Sequence, residues 1–272
     1  MTAESQTGLI AFGSNQGDSE QIFADAIARL GRVEGIEVTR TSTAIWTPPI
    51  RGTEENASEQ VQEVPDYLNA VIRIQTSLSP QLLHAETANI ELEFGRVRKR
   101  RWGDRTIDLD LLLLGSQVLD SEALTLPHPR MTFRRFVLKP AAEIASELIH
   151  PIAACSIGQL FEKINSPNKT MGIAFPKIDR KELVVDQVVR MLAKSYPAWQ
   201  FKKIFSEKKY FENQKDVSIL VVWDPPMGAL DSSSDEFWKQ AFRFPGPCLR
   251  LKADSDQDKI LVELRAAIQT IG

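Results

Sequence analysis

Two carboxylates set the chemical possibilities of this chain. Asp108 and Asp110 stand two apart in residues 106–114, a stretch that reads as a β-strand. Successive strand side chains point to opposite faces, so both acids share one face while Ile107, Leu109 and Leu111 share the other, toward a core. Acids held this close repel each other, and a hard divalent cation relieves the repulsion. Magnesium takes oxygen ligands, commonly one or two carboxylates plus substrate phosphates. Just upstream, residues 96–105 carry six cations (Arg96, Arg98, Lys99, Arg100, Arg101, Arg105) against one acid, Asp104. Arginine forks beside a metal-binding acid pair suit a polyphosphate whose terminal groups are being transferred. The same residues admit plainer readings: a strand with a solvated acidic face, a solvated basic loop, or a nucleic-acid patch. Against the last, the basic run is short, only Trp102 adds an aromatic within it, and the whole chain carries a net charge of −3.

Several classes are excluded on pattern. No Gly-x-x-x-x-Gly-Lys-[Ser/Thr] occurs, so this is not a P-loop enzyme. There is no kinase-type Gly-rich loop and no His-Arg-Asp triplet. Cys155 and Cys248 are too few and too far apart for a disulfide framework or a zinc site, and they suit a reducing cytoplasm. His84, His128 and His150 are likewise scattered. No apolar run approaches the roughly 20 residues of a membrane span, and no secretory leader is apparent, so neither a membrane nor a nucleic acid is an expected partner.

The elements that must position the acids are signalled by turns and caps. Residues 8–12 form a short apolar run that stops at Gly13-Ser14-Asn15, a strand entering a tight turn. Asp18, three residues before Gln21, starts a helix in which Ile22, Phe23, Ala26, Ile27 and Leu30 recur at helical spacing, and Gly31 closes it. Residues 36–46 predict a strand that ends at Thr47-Pro48-Pro49, because proline cannot continue a ladder. Residues 51–64 are polar and acidic and predict a long loop. Residues 67–75 alternate, with Leu68, Ala70, Ile72 and Ile74 on one face and Tyr67, Asn69, Val71 and Arg73 on the other. Ser79-Pro80 gives an N-cap followed by proline at N1, for a helix reaching about Phe94 and ended by Gly95. Beyond the 106–114 strand, a strand near Leu124 leads to Pro127-His128-Pro129, and residues 134–145 predict a helix. The order strand–helix–strand–strand–helix–strand predicts an α+β fold, a ferredoxin-like sandwich (split βαβ) with helices on one face of a mainly antiparallel sheet.

At 272 residues, two domains are expected. Asn165-Ser166-Pro167-Asn168-Lys169 has linker composition, which divides the chain into a domain at 1–165, a linker at 166–175 and a smaller α/β domain at 176–272. In the last, residues 180–196 and 258–271 have helical periodicity, and 217–223 and 248–252 predict strands. No phosphate loop is present there, so a regulatory, dimerising or stabilising appendage is expected.

Five strings then occur in a telling order: Gly13-Ser14-Asn15; Thr47-Pro48-Pro49; Pro65-Asp66-Tyr67-Leu68-Asn69-Ala70; Arg101-Trp102-Gly103-Asp104-Arg105-Thr106-Ile107-Asp108-Leu109-Asp110; and Pro127-His128-Pro129-Arg130-Met131. Across about residues 8–165 the chain strongly resembles the 6-hydroxymethyl-7,8-dihydropterin pyrophosphokinases of folate biosynthesis. The resemblance implies two magnesium ions, ATP as co-substrate, and transfer of its diphosphate to the pterin hydroxymethyl group with release of AMP. It implies Asp108 and Asp110 as metal ligands, with Arg96 and Arg105 beside them in the catalytic set. Arg96, Arg98, Arg105 and Arg134 are implied as triphosphate contacts, with Glu91, Ile107 and His128 also on the nucleotide side. Arg101 and Trp102 fall on the loop that seals the site. Tyr67 and Phe136 are implied as the walls that sandwich the pterin, Asn69 as the reader of its polar edge, and Thr47, Pro48 and Ile50 as a further wall. The alternative from another class is a non-catalytic ferredoxin-like module that binds nucleotide or RNA through its basic loop.

Overall fold

The computed structural model describes residues 5–50, 64–95, 106–175, 181–204, 217–223, 244, 246–252 and 254–271. The first sheet is built from β1 (Gln6–Ser14), β2 (Ile36–Thr41), β3 (Ile45–Thr47), β4 (Tyr67–Thr76) and β5 (Asp108–Leu114). Its order is β2-β4-β1-β5, with β3 pairing the other end of β4, and every pairing is antiparallel. The single strand expected at 36–46 is thus two. The break falls at Ser42–Thr43, where Ser42 Oγ accepts the Val71 N–H at 2.9 Å and Glu143 Oε1 accepts both the Thr43 N–H and its hydroxyl, at 3.0 and 2.9 Å.

Helices α1 (Ser19–Leu30) and α2 (Pro80–Glu93) cover one face. Asp18 caps α1 by accepting the Gln21 N–H at 3.0 Å, whereas the Gln21 side chain turns to Asp25 instead of returning, so half of the capping box forms. Ser79 Oγ accepts the Leu82 N–H and Pro80 opens α2, as its sequence predicts. Ala26, Leu30, Leu83 and Ile90 pack there on Ile10, Phe12, Ile72, Ile74, Leu109, Leu111 and Leu114. The expectation that all helices lie on this face is corrected by α3 (Arg135–Ala145), which covers the opposite face: Val137, Leu138 and Ala141 pack with Leu9, Val71, Leu112 and Leu113. Val71 shares a face with Asn69, as the alternation predicts, yet it is fully buried because α3 lies over it.

Strand β5 is irregular at one residue. The register with β1 pairs Ile10 with Leu111 and Leu9 with Leu113, so Leu112 has no opposite residue: it is a β-bulge. Leu112 continues the face of Asp108 and Asp110 by plain alternation, and the bulge brings Leu113, opposite Leu9, onto that same face. Its carbonyl accepts the His128 N–H at 2.7 Å, which ties the turn after β6 (Leu119–Asp120) and β7 (Thr125–Leu126) to the strand that carries the acids.

A β8 (Ile149–His150) and β9 (Cys155–Ser156) hairpin leads into α4 (Ile157–Ile164). His150 is 4% exposed and its Nδ1 accepts the Ala153 N–H at 3.0 Å. Burial pushes its pKa down to about 4. The folded pKa lies below the unfolded value near 6.5, so the unfolded chain takes up the proton first. Stability is complete above pH 6.5 and falls as the pH drops toward 4. His150 is expected to cost about 2 kcal/mol between pH 7 and 4.5. In urea titrations at the two pH values, His150→Asn should show that much less acid sensitivity than the native chain.

The second sheet has β10 (Thr170–Ala174), β11 (Gln200–Ile204), β12 (Ile219–Trp223) and β13 (Cys248–Leu251) in the order β11-β10-β12-β13, all parallel. Helices α5 (Lys181–Ser195) and α6 (Gln257–Ile271) pack beside it. Here the linker expectation is corrected. Residues 170–174, inside the expected linker 166–175, are an entirely buried strand with neighbours on both sides. The turn composition of 165–169 is real, but it serves a strand entrance. The two sheets do not sit on separate cores either: one apolar cluster runs from Leu9 and Val71 through α3 and α4 to Ile173, Ile219, Leu264 and Ile271. Among the described residues, no helix is long and apolar enough to cross a membrane.

Candidate active site

One row of the first sheet forms the floor of the site. Asn69 on β4 lies opposite Gly13 on β1, and Gly13 lies opposite Asp108 on β5. The next acid, Asp110, lies opposite Ala11. With strands spaced at ~4.8 Å, the Asn69 and Asp108 backbones are roughly 10 Å apart. Gly13 and Ala11 between them supply almost no side chain, and a cleft of about 930 Å³ of empty space, its open mouth included, stands over the row. Thr47 to Ile50 and Tyr67 border one end, Asp108, Asp110 and His128 the other, and Arg134, Phe136 and Val137 form the wall contributed by α3 and its approach.

The amide, the guanidinium and the imidazole in the cleft are each held in place. The Asn69 amide nitrogen donates to Thr47 Oγ1 at 2.9 Å and to the Tyr67 carbonyl at 3.0 Å, which fixes the plane of its side chain. The Arg134 guanidinium carbon lies 5.5 Å from the Phe136 ring centroid, a cation–π contact. Burial, with a lesser push from Arg130, lowers the Arg134 pKa to about 10, while Asp110, Asp108 and Glu263 act to raise it. The guanidinium therefore stays charged at neutral pH. His128 behaves oppositely. Burial first, then Arg134 and Arg130, push its pKa down to about 3, so the ring is neutral. Its Nδ1 accepts the Arg130 N–H at 3.1 Å, which assigns the ring proton to Nε2, 3.9 Å from Asp110 Oδ2. That contact joins a neutral donor and a carboxylate and is not an ion pair.

The donor set fits a hard divalent cation. Asp108 and Asp110 are both partly exposed to the cleft on one face of β5. Among the described residues, no cluster of three His, Cys, Asp or Glu could hold a metal unaided. Two carboxylates would leave most coordination positions to phosphate and water, which is how magnesium is commonly bound.

Of the residues singled out from sequence, Thr47, Pro48, Ile50, Tyr67, Asn69, Asp108, Asp110, His128, Arg134 and Phe136 line this one cleft. Two do not. The Glu91 side chain is buried under the sheet and its Oε1 accepts the Leu109 N–H at 2.7 Å, so it braces β5 from the side away from the acids. Ile107 is fully buried in the α1–α2 core. Arg96, Arg98, Arg101, Trp102 and Arg105 lie outside the described residues. The cleft also uses Gly13, Pro49, Leu112 and Val137. Carrying the i, i+2 spacing of the two acids one step further reaches Leu112. By residue type Gly13 signals only a turn, and its place in the cleft is not marked even by the Gly13-Ser14-Asn15 string that contributes to the family resemblance.

The chain's similarities agree with this geometry. Residues 9–146 match the family model of 7,8-dihydro-6-hydroxymethylpterin-pyrophosphokinase (HPPK). The 2-amino-4-hydroxy-6-hydroxymethyldihydropteridine pyrophosphokinase of Haemophilus influenzae is 41% identical over 145 residues, 53% of this chain and 85% of that one. The folic acid synthesis protein fol1 of Pneumocystis carinii is 38% identical over 161 residues, 59% of this chain, which spans only 20% of the fungal protein's length. The bifunctional protein FolKE of Lactococcus lactis is 33% identical over 244 residues, 81% of this chain and 67% of that one. The matched segment contains β1, β4, β5 and the His128 turn, the parts that build the cleft, and on this ground the chain belongs to the 7,8-dihydro-6-hydroxymethylpterin-pyrophosphokinase family.

Proposed function

We propose that this chain transfers the diphosphate of ATP to the hydroxymethyl group of 6-hydroxymethyl-7,8-dihydropterin, releasing AMP, as a step of folate biosynthesis. The observation that carries this reading is the Asn69–Gly13–Asp108 row: an amide fixed at one end of an open cleft and an acid pair at the other, about two strand spacings away. A flat bicyclic ring placed between Tyr67 and Phe136 would turn its polar edge to Asn69 and its hydroxymethyl toward Asp108 and Asp110. The hydroxymethyl oxygen forms a bond to the β-phosphorus, the bond from that phosphorus to the α-phosphate oxygen breaks, AMP leaves, and the hydroxyl proton passes to water. No side chain of the cleft is an obvious general base, because His128 is already neutral with Nε2 as a donor and Nδ1 occupied. Rate therefore derives from positioning and charge neutralisation. Asp108 and Asp110 would hold magnesium, two ions in this reading. Bound there, magnesium supplies charge neutralisation on the phosphates and activation of the hydroxyl. Arg134 adds a fixed cation, with Arg96, Arg98 and Arg105 as further triphosphate contacts and Arg101 and Trp102 closing over them.

In the same reading the first sheet is a split βαβ, ferredoxin-like sandwich, supported by its order β2-β4-β1-β5 and its wholly antiparallel pairing. The parallel second sheet is an appended α/β unit. The enzyme works in the reducing cytoplasm, in keeping with two free cysteines. The test is to incubate the chain with ATP, magnesium and the hydroxymethyl pterin and to identify the nucleotide released. AMP is expected. ADP would replace the reading with ordinary phosphoryl transfer, and no turnover would leave a binding module. Phe136→Ala should raise KM for the pterin about 30-fold, from ~2 kcal/mol of lost stacking, and KM for ATP much less. Steady-state kinetics in each substrate would show the split.

A further inference from the structure

The wall of the cleft that carries His128, Arg134 and Phe136 is a single segment, and its other side is clasped by the C-terminal unit. Between His128 and Arg134 lies a 3₁₀ turn, Met131–Phe133, whose three residues are 0–5% exposed. Met131 and Phe133 belong to the same apolar cluster as Leu264, Ala267, Ile268 and Ile271 of α6. Three consecutive polar attachments accompany this burial. Arg130 Nη2 meets Glu263 Oε1 of α6 at 2.6 Å. Thr132 Oγ1 exchanges hydrogen bonds with the carbonyl and N–H of Cys248, the first residue of β13, both at 3.1 Å. Thr270 Oγ1 lies 3.3 Å from the Phe133 carbonyl. The segment therefore alternates: His128 to the cleft, Arg130, Thr132 and Phe133 to the C-terminal unit, Arg134 and Phe136 back to the cleft.

We propose that Glu263 is a positioning residue of the active site: by gripping Arg130 it holds the turn that presents His128 and Arg134, so the C-terminal unit is the buttress of the nucleotide wall. The link to the cleft is short. The Arg130 N–H bonds to His128 Nδ1, so the backbone that Glu263 anchors through the Arg130 side chain also selects the His128 tautomer and leaves Nε2–H facing Asp110. The pair is well shielded, with the Glu263 side chain 18% and the Arg130 side chain 30% exposed, which makes its geometry more determinate than that of a surface ion pair. That this wall faces a nucleotide rests on the function proposed above; the control of His128 by Glu263 does not.

Two measurements on the full chain test it. The first is the imidazole nitrogen spectrum of Glu263→Met in the absence of ligands. Only three histidines contribute, and His150 serves as an internal reference. His128 is expected to show a single Nε2–H tautomer in the native chain and a mixture in the variant, while His150 is unchanged. Identical His128 signals would overturn the proposal. The second is kinetics. Glu263→Met should raise KM for ATP about 10-fold and leave KM for the pterin within about twofold, Glu263→Gln should recover part of the loss, and Arg130→Met/Glu263→Met should be no worse than Arg130→Met alone. A merely structural role would lower the melting temperature and move both KM values together, and that result would also overturn it. If the native chain releases no AMP, the proposed activity fails on its own and the His128 spectrum still decides the positioning.

Discussion

Asp110→Ala is expected to lower AMP formation by three orders of magnitude or more, with a melting temperature equal to or slightly above that of the native chain. In the proposed metal site, loss of one of two carboxylates halves the protein's share of the ligands. A thousandfold loss corresponds to about 4 kcal/mol of transition-state stabilisation, in the range expected for a misplaced metal in a phosphoryl-type transfer. The stability half of the expectation has a separate cause. The Asp110 side chain is 44% exposed and lies near Asp108, a like charge, so folding gains little from it. The floor beneath stays paired through the β1–β5 ladder, and Arg134 keeps its charge even when one of the acids that raises its pKa is gone. Chromatographic quantitation of AMP beside calorimetric melting would separate the two effects. Native-like turnover by this variant would remove Asp110 from the metal site.

Gly13 carries the second large expected effect. A Cβ built there would meet only Asp108 Cβ at 3.8 Å and Asn69 Oδ1 at 3.9 Å, ordinary contact distances, so the fold does not require glycine at this position. The cleft does. Any larger side chain rises between the amide and the acids, where the proposed function places the pterin ring. Gly13→Ala should cost about 10-fold in kcat/KM, and Gly13→Val about a hundredfold or more, roughly 3 kcal/mol at the transition state. A β-branched residue suits a strand, so melting should move by only a few degrees. Parallel titration of pterin binding by calorimetry would show the loss as weakened affinity. Retention of kcat/KM within threefold in Gly13→Val would mean that the substrate lies elsewhere.

Much of the site is legible in the residues because their signals are local. The acids at 108 and 110 share a face by strand geometry alone, and the alternation of 67–75 puts Tyr67 and Asn69 together, where both line the cleft. The caps Asp18 and Ser79 form as their types predict. The features that escape the sequence depend on partners distant in the chain. A strand of five buried residues, Thr-Met-Gly-Ile-Ala, carries no alternation, because a parallel strand covered on both faces has no solvent side to mark. Next to a run of turn residues, it reads as linker. Helix α4 does carry a readable signal, the capping box of Ser156 and Gln159. The placement of α3 on the opposite face, the burial of Val71 and the inward turn of Glu91 depend on what packs against them, and composition does not encode that. Nor do single residues reveal that Arg130 and Thr132 face a second unit more than a hundred residues downstream.

The surplus residue in β5 makes strand length itself a tuned quantity. Because Leu112 stands outside the ladder, removing it would leave neighbouring strands correctly aligned and the apolar faces still matched, while the amide of His128 lost its anchor. Substitutions thus edit the contents of the site, and a change of count in this strand edits its alignment, through a route that leaves the scaffold untouched. A laboratory library that varies only residue identity would never sample that second axis, which reaches the cleft through strand length as well as through the side chains that line it.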